Sequence, residues 1–87
     1  MVGALQIWSA VFCRNFDALP AEVRSAITAK IDYVGCRLAM FPHQRLAGRN
    51  EFKLRVGDYR VLYDFDGSAG RLYLLYVGHR REIYKRV

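Results

Sequence analysis

The stretch EFKLRVGDYRVLYDFD, residues 51–66, alternates apolar and polar side chains with a period of two on both sides of Gly57-Asp58. Phe52, Leu54 and Val56 alternate with Glu51, Lys53 and Arg55, and Tyr59, Val61, Tyr63 and Phe65 alternate with Arg60, Leu62 and Asp64. This predicts a hairpin of strands 51–56 and 59–66, with Gly57 supplying the positive φ of a tight turn. Closing the turn on Val56 and Tyr59 sets Arg55 opposite Arg60, Lys53 opposite Leu62 and Glu51 opposite Asp64, all on one face. Like charges facing each other across a sheet are destabilising. Arg against Arg beside a Lys therefore points to an anionic ligand, and the guanidinium fork matches phosphate.

Outward from the hairpin, RLYLLYV (71–77) is apolar on both faces, as expected of a strand flanked or covered on both sides, and a third strand is predicted over 71–79. Gly78 ends the apolar run, and the tail HRREIYKRV reads as exposed, contributing little to a core. On the N-terminal side, Met40 to Asn50, with Pro42 and Gly48, reads as a connection. Before it, Val23, Ile27, Ile31 or Tyr33, Val34 and Leu38 form the apolar stripe of a helix that Pro20 opens. Phe12, Phe16 and Leu19 recur at helical spacing in a preceding helix capped by Ser9, and Ala4 to Trp8 reads as a first strand. The expected fold is α+β: an N-terminal strand and a two-helix hairpin packed on a small, mainly antiparallel sheet, in one domain spanning 1–87.

The chain has 87 residues, 53% of them hydrophobic and 14% aromatic, which suits one small folded domain and excludes a basic disordered tail. Its net charge of +6 is uneven. Residues 1–44 carry four cations against three carboxylates, whereas ten of the 14 Lys and Arg residues fall in 45–87, eight of them Arg. An Arg-rich half favours nucleic acid as partner, although an acidic protein meets the same surface. Cys13 and Cys36 have no further Cys or His at ligand spacing, so no metal or other cofactor is expected. There is no charged-then-apolar leader and no apolar run near the roughly 20 residues that span a bilayer. A cytoplasmic protein with no membrane partner is the expectation.

The element order, together with Leu46-Ala47-Gly48, LRVGDYRVLYDFD (54–66) and VGHRREIY (77–84), resembles the RelE branch of the RelE/ParE toxin superfamily over essentially the whole chain. The resemblance implies a RelE-like fold and a type II toxin that enters the ribosomal A site and cleaves the mRNA there as a metal-independent endoribonuclease. It also implies a cognate antitoxin that wraps the basic surface, with operator DNA reached only through the toxin–antitoxin complex.

Cleavage by the internal 2′-hydroxyl needs a base for that hydroxyl, cations for the charge developing on phosphorus, and an acid for the leaving 5′-oxygen. Arg60 and Arg80 match the two arginines that RelE-type toxins place around the scissile phosphate. Lys53 matches a second basic position, with general-base duty, and Tyr84 the C-terminal tyrosine that orients or stacks on substrate. Arg55, Arg81 and Lys85 are RNA-backbone candidates, Arg55 equally an antitoxin contact. Glu51 stands where the best-known RelE-type site has a lysine. Relatives that pair Glu with His make Glu51 a candidate base and His79 a candidate acid; the plain alternatives are a carboxylate balancing nearby arginines and a structural strand-end histidine. Two other activities remain on the same scaffold: a ParE-like, non-nuclease inhibitor of DNA gyrase, and a catalytically degenerate member that only binds its antitoxin.

Overall fold

The computed structural model describes the backbone of residues 3–86 and the side chains of residues 3–83. Strand β1 (Leu5–Trp8) leads into α1 (Ala10–Asp17) and α2 (Ala21–Gly35), followed by β2 (Gln44–Arg45), β3 (Phe52–Val56), β4 (Tyr59–Asp66), β5 (Arg71–His79) and α3 (Arg80–Arg86). The sheet order is β1-β5-β4-β3-β2, antiparallel except that β1 runs parallel to β5. The expected α+β arrangement is the one found.

Local chemistry explains most boundaries. The Ser9 hydroxyl accepts from the Phe12 amide at 3.0 Å and so caps α1. Pro20 occupies the N-cap of α2 itself, one residue before the helix begins, where its missing N–H costs nothing. Gly57, at φ +58°, takes the first central position of the β3–β4 turn, as a type II′ hairpin requires.

The core lies between the two N-terminal helices and one face of the sheet. Phe12, Ile27, Ile31, Val34 and Leu38 meet Leu54, Val61, Tyr63, Leu72, Leu74 and Val77 there. Of the two alternatives for the α2 stripe, Ile31 is the buried one; Tyr33 is 47% exposed. A smaller cluster of Leu46, Leu62 and Ile83, with Tyr76 against it, covers part of the opposite face.

Three sequence expectations need correction. The tail is a helix, and its Ile83 is 1% exposed, because α3 folds back onto the sheet and inserts that side chain beside Leu46 and Leu62. The connection 40–50 contains β2, whose Gln44 and Arg45 pair with Lys53 and Phe52. Glu51 lies outside the β3–β4 ladder, which ends at Phe52↔Tyr63; its carbonyl accepts from the Leu46 amide at 2.8 Å on the β2 side, and its carboxylate is drawn to Arg49 in the loop before it. Among the described residues, no helix is long and apolar enough to cross a membrane.

Tyr63 makes the core sensitive to alkali. Its hydroxyl meets Nδ1 of His43 at 2.7 Å, while Nε2 of His43 lies 2.7 Å from the Leu38 carbonyl. That carbonyl can only accept, so Nε2 carries the proton and Nδ1 accepts from Tyr63. Burial pushes the Tyr63 phenol up to about 12. The native state thus holds this proton more tightly than the unfolded chain, where tyrosine titrates near pH 10. The associated stability is intact below about pH 10 and is lost as pH rises through about 12. Denaturant titrations across that range should show a steeper loss in the wild type than in Tyr63→Phe, the difference reaching about 3 kcal/mol. Parallel pH profiles would refute this.

Candidate nucleic-acid interface

The face of the hairpin turned away from α1 and α2 carries the cations. Arg55 and Arg60 are direct cross-strand partners, and Lys53, two residues before Arg55, pairs with Leu62. With Gln44 from β2, these three cations line a cavity of about 250 Å³. Among the described residues, the salt bridges are Arg49–Glu51 and Arg80–Asp58, so Lys53, Arg55 and Arg60 meet no carboxylate within 4.0 Å.

Arg60 is the organising residue. It is 7% exposed, and its Nη1 donates to the carbonyls of Gly57 at 3.0 Å and Tyr59 at 2.9 Å. The turn thereby fixes one edge of the guanidinium. Opposite Arg60 on β5 stands Gly78; a Cβ there would come within 3.2 Å of the Tyr76 ring, so the missing side chain leaves room for that ring on the cationic face. An anion entering the cavity meets donors already in place, which is how fixed dipoles stabilise developing charge.

The other predicted site residues are dispersed. Arg80 starts α3 at the hairpin tip: its amide donates to the Asp58 carbonyl at 2.8 Å, and its Nε is 3.9 Å from the Asp58 carboxylate. Arg81 is exposed in the first turn of α3. Tyr84 and Lys85 belong to α3, but their side chains lie outside the described residues.

His79 pairs with Tyr59 and shares the helix-packed side with Val77; its ring meets the Tyr59 ring edge-on at 5.5 Å. Its Nδ1 accepts the Arg81 amide at 3.2 Å, a capping bond for α3. It is thus turned away from the cavity.

Glu51 lines a neighbouring groove with Gly48, Arg49, Asn50, Asp64 and Leu75. Arg49 grips it through two bonds of 3.1 and 3.0 Å, and that hydrogen bonding holds its carboxyl below the usual range. A carboxylate so stabilised is a weak base. Should the cationic cavity act on RNA, Glu51→Gln is expected to leave that cleavage within about threefold of wild type, since even a modest general-base contribution is worth about a hundredfold. A hundredfold drop in single-turnover cleavage would make Glu51 the base after all.

Gln44 and Tyr76 escaped the sequence reading. Gln44 looks like one more polar loop residue until β2 pairs with β3, and only Gly78 hinted that something bulky sits beside Arg60.

Residues 7–84 match the family described as ParE toxin of type II toxin–antitoxin system, parDE. The chain belongs to this family, within the RelE/ParE superfamily. No match was found among curated proteins. Among solved structures, the chain is similar to the RelBE2 toxin–antitoxin complex of Mycobacterium tuberculosis, with TM-score 0.76 and 24% identity over 92% of this chain and 94% of that one. It is similar to a free mutant of the Escherichia coli toxin RelE, with TM-score 0.73 and 19% identity over 97% and 93%. The RelE–RelB complex of Pyrococcus horikoshii gives TM-score 0.74 and 18% identity over 91% and 97%. The fold is that of RelE toxins.

Proposed function

We propose that this toxin is a ribosome-dependent, metal-independent endoribonuclease that cleaves mRNA in the A site and so inhibits translation. The observation that carries the reading is the cavity of Lys53, Arg55 and Arg60, with Arg60 anchored to the turn carbonyls and, among the described residues, no carboxylate paired with these cations.

In this reading Arg60 and Arg55 hold the scissile phosphate and stabilise the charge that grows on it in the transition state. Lys53 is the amine of the cavity and so its candidate proton acceptor, because guanidinium stays charged. It takes the 2′-hydroxyl proton. Arg80, at the edge, supports the leaving 5′-oxygen electrostatically while a solvent water protonates it, and Tyr84 orients the substrate. Arg81 and Lys85 add backbone contacts, while His79 caps α3. The open face positions substrate poorly by itself, so the ribosome supplies the alignment. No metal or cofactor is invoked. We further propose a cytoplasmic location and a cognate antitoxin that covers the basic face, in line with the RelE–RelB complexes of similar fold. Operator DNA is then met only through the antitoxin complex.

The match to the ParE toxin family keeps one second reading beside this one, the ParE-like inhibition of DNA gyrase without cleavage. Primer-extension mapping of mRNA in a translating extract separates the two. Ribosome-dependent breaks at A-site codons that vanish in a folded Arg60→Ala, Arg80→Ala variant support the nuclease. Intact mRNA with blocked supercoiling supports the gyrase inhibitor.

A further inference from the structure

Arg55 faces two depressions. One is the cationic cavity; the other is an open groove of about 420 Å³ between α2 and β3, whose walls include Ala26, Ala29, Lys30, Tyr33, Arg55 and Val56. Tyr33, the one aromatic of α2, is 47% exposed, and two cations attend it. The Arg37 guanidinium lies over the ring at 3.8 Å and donates to the Tyr33 carbonyl at 3.1 Å; the Lys30 ammonium lies 5.4 Å from the ring centre. Lys30 and Tyr33, at i and i+3, share one side of the helix, and Arg37, in the turn just past its end, folds back over the ring.

Among the described residues, no carboxylate lines this groove. The α2 acids lie outside its lining: Asp32 is engaged by Gln6 at 2.6 Å, and Glu22 lines the adjoining depression at the start of the helix, which shares Ala26, Val56 and Gly57 with the groove. An apolar floor, a flat ring backed by a guanidinium, and two cations at the rim match a nucleotide: the base stacks on the platform and the phosphate pairs with the rim. An acidic peptide would satisfy the cations but has no use for the platform.

We propose that this groove is a second RNA site, in which one unpaired base stacks on the Tyr33–Arg37 platform and an adjoining phosphate lies between Lys30 and Arg55. Arg55 joins it to the cavity, so a single strand is held at two points. The inference rests on the RNA-cleaving reading of that cavity.

The test is fluorescence anisotropy of the full chain with a labelled 12-nucleotide single-stranded RNA carrying 2′-O-methyl groups, which block cleavage. Tyr33→Ala should weaken binding about tenfold and Tyr33→Phe should not, since loss of one base stack has that order of effect. Lys30→Glu should weaken it further, and a duplex of the same sequence should compete poorly. Thermal melts confirm folding; Lys30→Glu, at a half-buried position on the helix surface, is a second variant that keeps the test valid should Tyr33→Ala melt early. If Tyr33→Ala and Lys30→Glu bind like wild type while Arg60→Ala binds weakly, the groove proposal fails and the cavity reading stands. Equal loss in the Ala and Phe variants, or equal competition by polyglutamate, overturns it in favour of a purely ionic or peptide surface. Wild type that binds no RNA at all overturns both.

Discussion

Arg60→Ala is expected to lower cleavage of ribosome-bound mRNA about 10²–10³-fold, the loss that follows removal of one fixed donor to a developing oxyanion. The reason is its setting more than its charge. Two turn carbonyls hold one edge of the guanidinium, the ladder holds its backbone opposite Arg55, and the surrounding chain leaves it 7% exposed. A donor fixed before substrate arrives loses little entropy on binding. Removing it also strips the Gly57 and Tyr59 carbonyls of that donor, a cost of about 1 kcal/mol that leaves the fold intact. Arg60→Lys should recover only part of the activity, because an ammonium cannot brace the turn and present a planar fork together. Primer extension alongside circular dichroism reads both effects. A folded Arg60→Ala variant that cleaves at the wild-type rate would remove Arg60 from the chemistry.

Ile83→Ala should have the largest effect on stability among single changes near the site, about 2–4 kcal/mol for a fully buried side chain. In a domain of this size each kcal/mol moves the melting temperature by roughly 4–8 °C. Ile83 is the buried anchor of a seven-residue helix, and so short a helix cannot persist on backbone bonds alone. The partners it would abandon, Leu46 and Leu62, belong to the loop that carries β2 and to the strand that carries Arg60. The variant should therefore keep the β4–β5 amides protected from hydrogen exchange while the α3 amides exchange freely, with Arg80 and Tyr84 displaced and cleavage reduced. Unchanged melting and unchanged α3 protection would show that the helix does not depend on this contact.

The hairpin was legible in the sequence because period-two alternation, a Gly at the turn and opposed arginines leave one register that buries an apolar face. The Ser9 cap and the Ile27, Ile31, Val34, Leu38 stripe were legible for the same reason: they are local rules, fixed by spacing along a few turns. The cations at Lys53, Arg55 and Arg60 could accordingly be placed on one face before any coordinates.

Only the tertiary structure decided where the other candidates point. A bulge in β5 breaks its pairing with β4 between Leu62↔Tyr76 and Tyr63↔Leu74, so the strand's alternation shifts by one residue at Leu75. Leu72 and Leu74 face the helices before it; Val77 does so after it, and His79 with it. Uninterrupted alternation would have sent His79 to the cationic side. RLYLLYV is apolar on both faces and carries no alternation from which the shift could be read, so the side a residue faces beyond it depends on how β5 packs between β1 and β4. The seating of Ile83, the pairing of Gln44 and the capture of Glu51 by Arg49 have the same origin. Each depends on chain segments meeting across the fold or closing a loop, which residue order alone does not set.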